Sequence, residues 1–518
     1  MKQSALIRMM VILTTLYFSL FTSMAQTLNV RVGNVTYQFP AIQCGEMTYT
    51  DGTSLTILNK TFTLSDITSI TIDQTEVTDN TVGVVYNGSS ATVLVSGNIA
   101  QYITPTVSGA HVSIEQGNDV ADEITYELSG SSSDGEFYMS GSYKATILLN
   151  GLTLTNVNPV ISGAAIHIQN GKRINIKVVE GTNNTLTDAA SGDQKGCLYV
   201  KGHAEFKQKG TLNVVGKVKH AIKAGDYISV KNTTINVTSA VKDGISCNEY
   251  FLMESGSINI SGVGDEGIQC ELDGNISTGE TTDHEDEDSG NIYIEGGSIT
   301  VSTNGEGIES KGELYINGGE LTINAKDDAV NSAGDLTISG GYIYARSTNN
   351  DGIDANGNCY IKGGVIYAIG SGAPEVAVDA NSEERKQLYF SGGTLVAIGG
   401  LESGSSLTQS CYSASSWSQN SWYALYNGDD LALAFKTPSS GGNTLVVSTS
   451  GTTSLKSGVT VSGGKEYFDG MGNIGGSVSG GSSVSLSSYT GGDGFGGGGF
   501  PGGGGGPGGG GFPGGGWH

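Results

Sequence analysis

Apolar and polar residues alternate along much of this chain in short runs that stop at paired glycines. Asn291-Ile292-Tyr293-Ile294-Glu295 runs into Gly296-Gly297, and Glu313-Leu314-Tyr315-Ile316-Asn317 into Gly318-Gly319. The same phrase returns from Asp335 to Gly341, Asn358 to Gly364 and Gln387 to Gly393. A second alternating run follows the glycines: Ser298-Ile299-Thr300-Val301, Glu320-Leu321-Thr322-Ile323, Tyr342-Ile343-Tyr344-Ala345 and Val365-Ile366-Tyr367-Ala368. Period-two alternation over so few residues predicts half-buried strands, not helices. A third phrase, an acid followed by Gly-Ile or a close variant, precedes the other two. It reads Asp243-Gly244-Ile245, Glu266-Gly267-Ile268, Glu306-Gly307-Ile308, Asp328-Ala329-Val330 and Asp351-Gly352-Ile353.

The apolar marks Ile222, Ile245, Ile268, Ile308, Val330, Ile353 and Val378 lie 23, 23, 40, 22, 23 and 25 residues apart. The step of 40 is one repeat plus an insertion. A fixed period of this size signals a solenoid, whose units bury their apolar faces by stacking on one another. Three short strands per coil of about 22 residues predict an all-β, right-handed parallel β-helix. The Gly-Gly pairs suit its corners, where the backbone needs a positive φ and no Cβ.

The repeat is strongest between about 218 and 399, and the ends differ. Lys2 and Arg8 flank the start of an apolar run, Met9 to Phe21, followed by Ser23-Met24-Ala25. This predicts a secretory signal peptide over 1–25, a mature start at Gln26 and an exported or cell-surface protein. The run falls short of the ~20 residues a membrane-spanning helix requires. Residues 26–83 read as a small β module or cap, 84–400 as the β-helix, 401–490 as a β-rich extension and 491–518 as a tail. Of the 28 tail residues 19 are Gly, which predicts a disordered segment dispensable for folding.

Charge narrows the partners. Removing Lys2 and Arg8 takes the formal net charge from −25 to −27. That opposes nucleic acid and anionic membrane, and suits cations, neutral glycans, or acidic glycans bridged by cations. The six cysteines include no C-x-x-C, which argues against a zinc site. Cys247 and Cys270 fall one coil apart, where parallel neighbours aim their Cβ atoms alike and predict a buried thiol pair.

In a solenoid, equivalent positions stack into columns. Asp243, Glu266, Glu306, Asp328 and Asp351 form one, flanked by Asp265 and Asp327; Ser246, Gln269, Glu309, Asn331, Asp354 and Asp379 form another. Carboxylates ~5 Å apart repel by about 3 kcal/mol at an effective dielectric of 20. A cation is their natural neutraliser, and an oxygen-only set selects calcium. The alternative is that the acids solubilise an exposed sheet and cap turns. A loop from Glu271 to Asp288, acid-rich around His284, is a solvated excursion or a second metal-gathering segment.

Tyr293, Tyr315, Tyr360 and Tyr389, with Tyr199, are placed by the repeat in an outward column on which sugar rings could stack; β-propensity alone also explains them. Tyr344 and Tyr367 are expected to face outward from the neighbouring strand. Asn213, Asn236 and Asn259 form a ladder read as structural.

Several phrases together resemble a family of secreted bacterial β-helix carbohydrate-binding proteins: Phe137-Tyr138-Met139, Tyr143-Lys144-Ala145-Thr146, Asn150-Gly151-Leu152-Thr153-Leu154, Ile168-Gln169-Asn170-Gly171, Tyr199-Val200-Lys201-Gly202-His203 and Lys219-His220-Ala221-Ile222. The resemblance spans about Val84 to Ser488. It implies calcium held by Asp243, Asp265, Glu266, Glu306, Asp328 and Asp351, and binding of acidic pectic chains or cellulose. Val376 and His220 replace the acid in the last and an early coil, a departure from the pattern. The reading is thus a non-catalytic, calcium-dependent polysaccharide binder. A β-helix pectate lyase or a structural adhesin rod are the alternatives. Lyase chemistry needs a base such as Arg or Lys beside the bound uronate, and Arg346, Lys242 and Lys326 precede acids.

Overall fold

The computed structural model describes residues 26–45, 47–272 and 289–491. The expected signal peptide, most of the acidic insertion and nearly all of the Gly-rich tail lie outside the described residues. The described chain is built of strands apart from two short 3-10 turns, and none of its helices is long and apolar enough to cross a membrane.

Long parallel sheets organise it, an arrangement compatible with a β-helix. Ile245–Cys247, Tyr250–Met253 and Ser257–Val263 carry the three phrases of one repeat. Each pairs in parallel with its counterpart in the next repeat: Ile245 with Ile268, Phe251 with Ile292, Ile258 with Ile299. The acid–Gly–Ile strands form an 11-stranded sheet; the other two phrases belong to a 29-stranded one. Ile268 faces Ile308 directly, so the insertion leaves the register intact.

The inward marks Ile222, Ile245, Ile268, Ile308, Val330, Ile353 and Val378 are all buried in one continuous core. Gly319, Gly341 and Gly364 turn the corner at φ of +92°, +92° and +91°. A Cβ on Gly341 would meet the carbonyl oxygens of Gly318 and Gly319 at 3.0 Å, so the stack leaves these corners no side chain. Cys247 and Cys270 face each other in register, buried and unbonded. The asparagine ladder forms: Asn259 donates to Asn236 and Asn236 to Asn213, each at 2.9 Å.

Both ends of the stack are covered. At the N-terminus Thr27–Val32 pairs antiparallel with Val35–Pro40 and Ile67–Asp73. Thr81–Asn87, which runs across the expected boundary at 83/84, pairs in parallel with Ile124–Ser132 and joins that module to the stack. At the C-terminus Leu445–Ser448 pairs antiparallel with Thr394–Ile398 and closes the growing edge. A six-stranded antiparallel sheet made from 422–483 then folds back over the outer face of the last strands.

That sheet corrects the expectation for Tyr344 and Tyr367. Their rings do leave the inner core, but Tyr344 is 2% and Tyr367 0% exposed against Phe435, Phe468 and Val396. Tyr367 donates its hydroxyl to the Lys436 carbonyl at 2.9 Å. Neither ring is available to a sugar. The Ser/Gly-rich sequence of the extension, without the 22-residue period, gave no sign of where it would fold.

Candidate functional site

The acid corner forms where each chain turn enters a strand of the 11-stranded sheet. The apolar residue two positions on is fixed in the core, so the acid before it is held at the same edge in every repeat. Asp243, Glu266, Asp328 and Asp351 are 1%, 8%, 4% and 7% exposed. The register of Ile245, Ile268, Ile308, Val330 and Ile353 places Glu306 between Glu266 and Asp328. The same register stacks Ser246, Gln269, Glu309, Asn331 and Asp354 one residue beyond the apolar mark.

Three groups have carboxylate oxygens within 4.8 Å of one another: Asp243, Asp265 and Glu266; Glu266, Glu306 and Glu309; Asp351, Asp354 and Asp379. Asp328 and Asp327 stand between the last two. Asp328 accepts the Asp351 backbone N–H at 2.9 Å, and Asp327 accepts the Asn350 amide at 2.8 Å.

Burial without a counter-charge dominates the electrostatics. It drives the Glu266 carboxyl up to about 10, with Asp243 and Glu306 adding to the effect. Burial and then Asp354 push Asp328 up to about 9. Burial likewise raises Asp351 to about 8, although the Val376 N–H favours its charge, and Asp354 to about 6. Asp379 rises to about 10 through burial and its contact with Glu402. Only the N-terminal end is balanced. Burial opposes the charge of Asp243, but His220, with Nδ1 at 2.9 Å, holds its carboxyl below the usual range. The His220 departure thus supplies a partner where the column begins.

Elsewhere the neutralisation is partial. Lys311 pairs with Glu309, Gln269 donates to Glu309 at 2.7 Å, and Lys242 stands 4.0 Å from Asp265. Among the described residues no lysine or arginine pairs with Glu266, Asp328 or Asp351. An all-oxygen donor set of this kind fits calcium, which takes 6–8 oxygens at 2.3–2.6 Å in flexible geometry.

The sequence reading missed the last member of the second column. Val378 bridges to Leu401, so Glu402 follows Asp379 in the stack. The signal was the 23-residue step from Val378-Asp379 to Leu401-Glu402, beyond the point where the glycine phrase fades. Glu402, with Asp351, Glu375, Asp379 and Glu383, lines an open cavity of about 190 Å³. Glu375 sits in irregular chain and Glu383 in the short 3-10 turn Ser382–Glu384, and neither has a repeat to reveal it.

The tyrosine column forms from Tyr293 through Tyr315, Thr337 and Tyr360 to Tyr389. Its rings stack on each other, Tyr293 with Tyr315 at 5.3 Å and 7°, Tyr360 with Tyr389 at 5.0 Å and 9°. Each pair covers one face of each ring. Tyr250 stands edge-on to Tyr293 at 6.4 Å, Lys362 lies over Tyr360 at 5.4 Å, the Tyr293 hydroxyl accepts from Asn291 at 2.8 Å and the Tyr315 hydroxyl donates to Glu313. Tyr199 belongs elsewhere. It pairs with His167 and Lys223 in the 11-stranded sheet and is 8% exposed, so its place in this column is corrected. The cause is a wrong phrase assignment: Tyr199 sits beside an acid–Gly–Ile equivalent. Arg346 packs beside Tyr344 under the C-terminal sheet, in the strand Tyr342–Ser347.

The family described as "carbohydrate-binding domain-containing protein" matches residues 108–373. No curated protein matches the chain in sequence. Among solved structures, a polysaccharide lyase-like protein from C. thermocellum, a gadolinium derivative, is similar at 21% identity. That match covers 50% of this chain and 96% of the other, with a TM-score of 0.41.

Proposed function

Since the chain belongs to the family of carbohydrate-binding domain-containing proteins, we propose that it is an exported, non-catalytic protein that binds an acidic polysaccharide through calcium. In this reading the stack is a right-handed parallel β-helix with three strands per coil. The observation that carries the proposal is the run of buried Glu266, Asp328 and Asp351 with half-buried Asp379, each raised by burial and by neighbouring carboxylates. An apolar or neutral residue would be cheaper at each place if the fold were the only demand. Glu266, Glu306 and Glu309 would hold one ion, and Asp351, Asp354 and Asp379 another, with Asp243 and Asp265 completing the N-terminal end. Bound calcium supplies positive charge to a chain that otherwise repels uronates.

Successive coils lie ~4.8 Å apart, so a polymer lying along the corner meets ligands at a constant step. Tyr293, Tyr315, Tyr360 and Tyr389 lie on a different face and are assigned an auxiliary contact through their partly exposed rings. Arg346 is a poor candidate base for lyase chemistry because it is packed beside Tyr344 with its Nε buried.

The test is retention on insoluble polygalacturonate and on cellulose, with calcium and with chelator. Retention on polygalacturonate is expected in calcium and lost in chelator. Replacing Glu306→Gln, Asp328→Asn and Asp351→Asn together lowers it to the chelator level. Unchanged retention by a folded triple variant, or release of unsaturated uronate products, sinks this reading.

A further inference from the structure

A second polar cluster lies at the opposite end of the same strands, where the chain leaves the 11-stranded sheet. His203 follows Gly196–Val200, Asp226 follows His220–Ala224, and Glu249 follows Ile245–Cys247. One ligand atom from each lies within 4.8 Å of the others. His203 is 1% and Glu249 4% exposed. The Asp226 side chain, 22% exposed, is the opening to solvent.

Three features set this group apart from ordinary turn polarity. First, both His203 nitrogens are buried without a hydrogen-bond partner, although Nε2 comes within 3.2 Å of Asp226 Oδ2. A buried imidazole normally satisfies at least one nitrogen; here one nitrogen faces a carboxylate without a well-formed hydrogen bond to it, and the other has no partner. Second, the fold does not demand acids here. Register places Gly290, Gly312 and Gly334 at the position of Asp226 and Glu249 in the following coils. Third, other groups nearby are already engaged. Glu205 accepts from Tyr227 at 2.8 Å and from Lys207 at 2.6 Å, while Lys172 and Arg173 act on His203 as nearby positive charges.

We propose that His203, Asp226 and Glu249 bind one borderline divalent cation of the zinc class, at a site separate from the acid corner. One imidazole nitrogen with two carboxylates is a ligand set that zinc accepts and calcium does not prefer. A neutral imidazole offers a nitrogen lone pair to such an ion. Ligands at ~2.1 Å around a tetrahedral ion stand ~3.4 Å apart, so only a small closure of the two carboxylates completes three corners. Water entering past Asp226 takes the fourth. The His203 ring is held edge-on to Tyr227 at 4.4 Å, and Tyr227 stacks on Tyr250 at 4.6 Å, which fixes the imidazole. The ion ties three consecutive coils together. The absence of C-x-x-C argued against zinc only for thiolate sites; an N/O site leaves no such spacing.

The test uses the full chain, stripped of metal and then held in millimolar calcium so that oxygen-only sites are filled. Zn²⁺ is titrated calorimetrically, and Co²⁺ is followed by its visible absorption. One Zn²⁺ per chain and a visible Co²⁺ band are expected. His203→Gln and Glu249→Gln each lower zinc affinity by roughly 100-fold or more, an order expected when one of three ligands is lost. Calcium-dependent retention on polygalacturonate stays unchanged in both variants. Where His203→Gln fails to fold, Glu249→Gln and Asp226→Asn decide the matter. Zinc binding no tighter in the wild type than in the folded variants overturns the site. So does zinc binding that is lost in Glu266→Gln instead, which would place the ion at the acid corner.

Discussion

Two buried carboxyls in this chain show how local partners decide what burial does. Glu136 is 0% exposed, yet it stays below its usual range. Burial opposes its charge, but the N–H groups of Val160, Ile161 and Ser162 at 2.7, 2.8 and 2.9 Å outweigh it, with His111 at 2.8 Å. Asp328 has one backbone donor and acidic neighbours, and burial pushes it up to about 9. Raised folded-state values mean that the native protein holds more protons than the unfolded chain between the ordinary carboxylate range and about 9. Stability is therefore fully present below pH 4 and falls as pH rises through 8 and 9. In metal-free protein the melting temperature is expected to drop by about 5 °C or more from pH 6 to pH 9. On the calcium reading proposed above, added calcium is expected to remove most of that slope by replacing the protons. Asp328→Asn, which keeps the acceptor for Asp351, raises the metal-free melt at pH 8 and shrinks the gain from calcium. A metal-free melt that rises with pH, or an Asn variant less stable without metal, contradicts this account.

At the level of strands and corners, the alternation in Ile292-Tyr293-Ile294 and its copies was legible because a half-buried strand cannot hide its period. The facing of Ile245 on Ile268 followed from the same 23-residue step. Tyr199 was misplaced because its phrase lacks the acid that marks the others, and Tyr344 and Tyr367 because burial from outside depends on a distant sheet. That sheet's strands pair antiparallel and carry Gly and Ser where packing comes from a few rings, such as Tyr467 on Tyr342 at 4.4 Å. The acid columns were readable as positions; whether they were buried was not, since exposure depends on how tightly the corner closes. The His203 group left no pattern at all, because its residues come from three different repeats and the position of Asp226 and Glu249 is glycine afterwards. At the corners, Gly341→Ala forces a side chain into φ +92° with carbonyl oxygens 3.0 Å away. A loss of about 2 kcal/mol is expected by denaturant titration; a neutral outcome would mean that the corner relaxes freely.

For the molecule as a whole, the stack is nearly periodic where the offset is the same in all three strands. Ile222 faces Ile245, Ser229 faces Leu252 and Asn236 faces Asn259, each 23 residues on. Deleting 222–244 would let Leu198 meet Ile245 and Asn213 meet Asn259, so the core and the asparagine ladder reform. A folded protein with the strand signal of circular dichroism reduced by about one coil is expected. Deleting 222–232 instead shifts the remaining strands out of phase and is expected to prevent folding. Equal damage from both deletions would rule out modular stacking.

The closing strand has a mechanical consequence. Leu486–Tyr489 pairs with Cys411–Ala414, and the Tyr489 hydroxyl holds Leu401 through its N–H at 3.0 Å and its carbonyl at 3.2 Å. A load applied beyond Gly491 reaches this latch before any coil. We predict that pulling from the C-terminus first releases the six-stranded sheet in one long extension. The coils then follow singly, each lengthening the tether by about 80 Å, the span of 23 extended residues. A single-molecule trace with one undivided rupture would refute this order. Built so, the protein yields to force in instalments, and a bound polymer could stay held while the far end of the stack gives way.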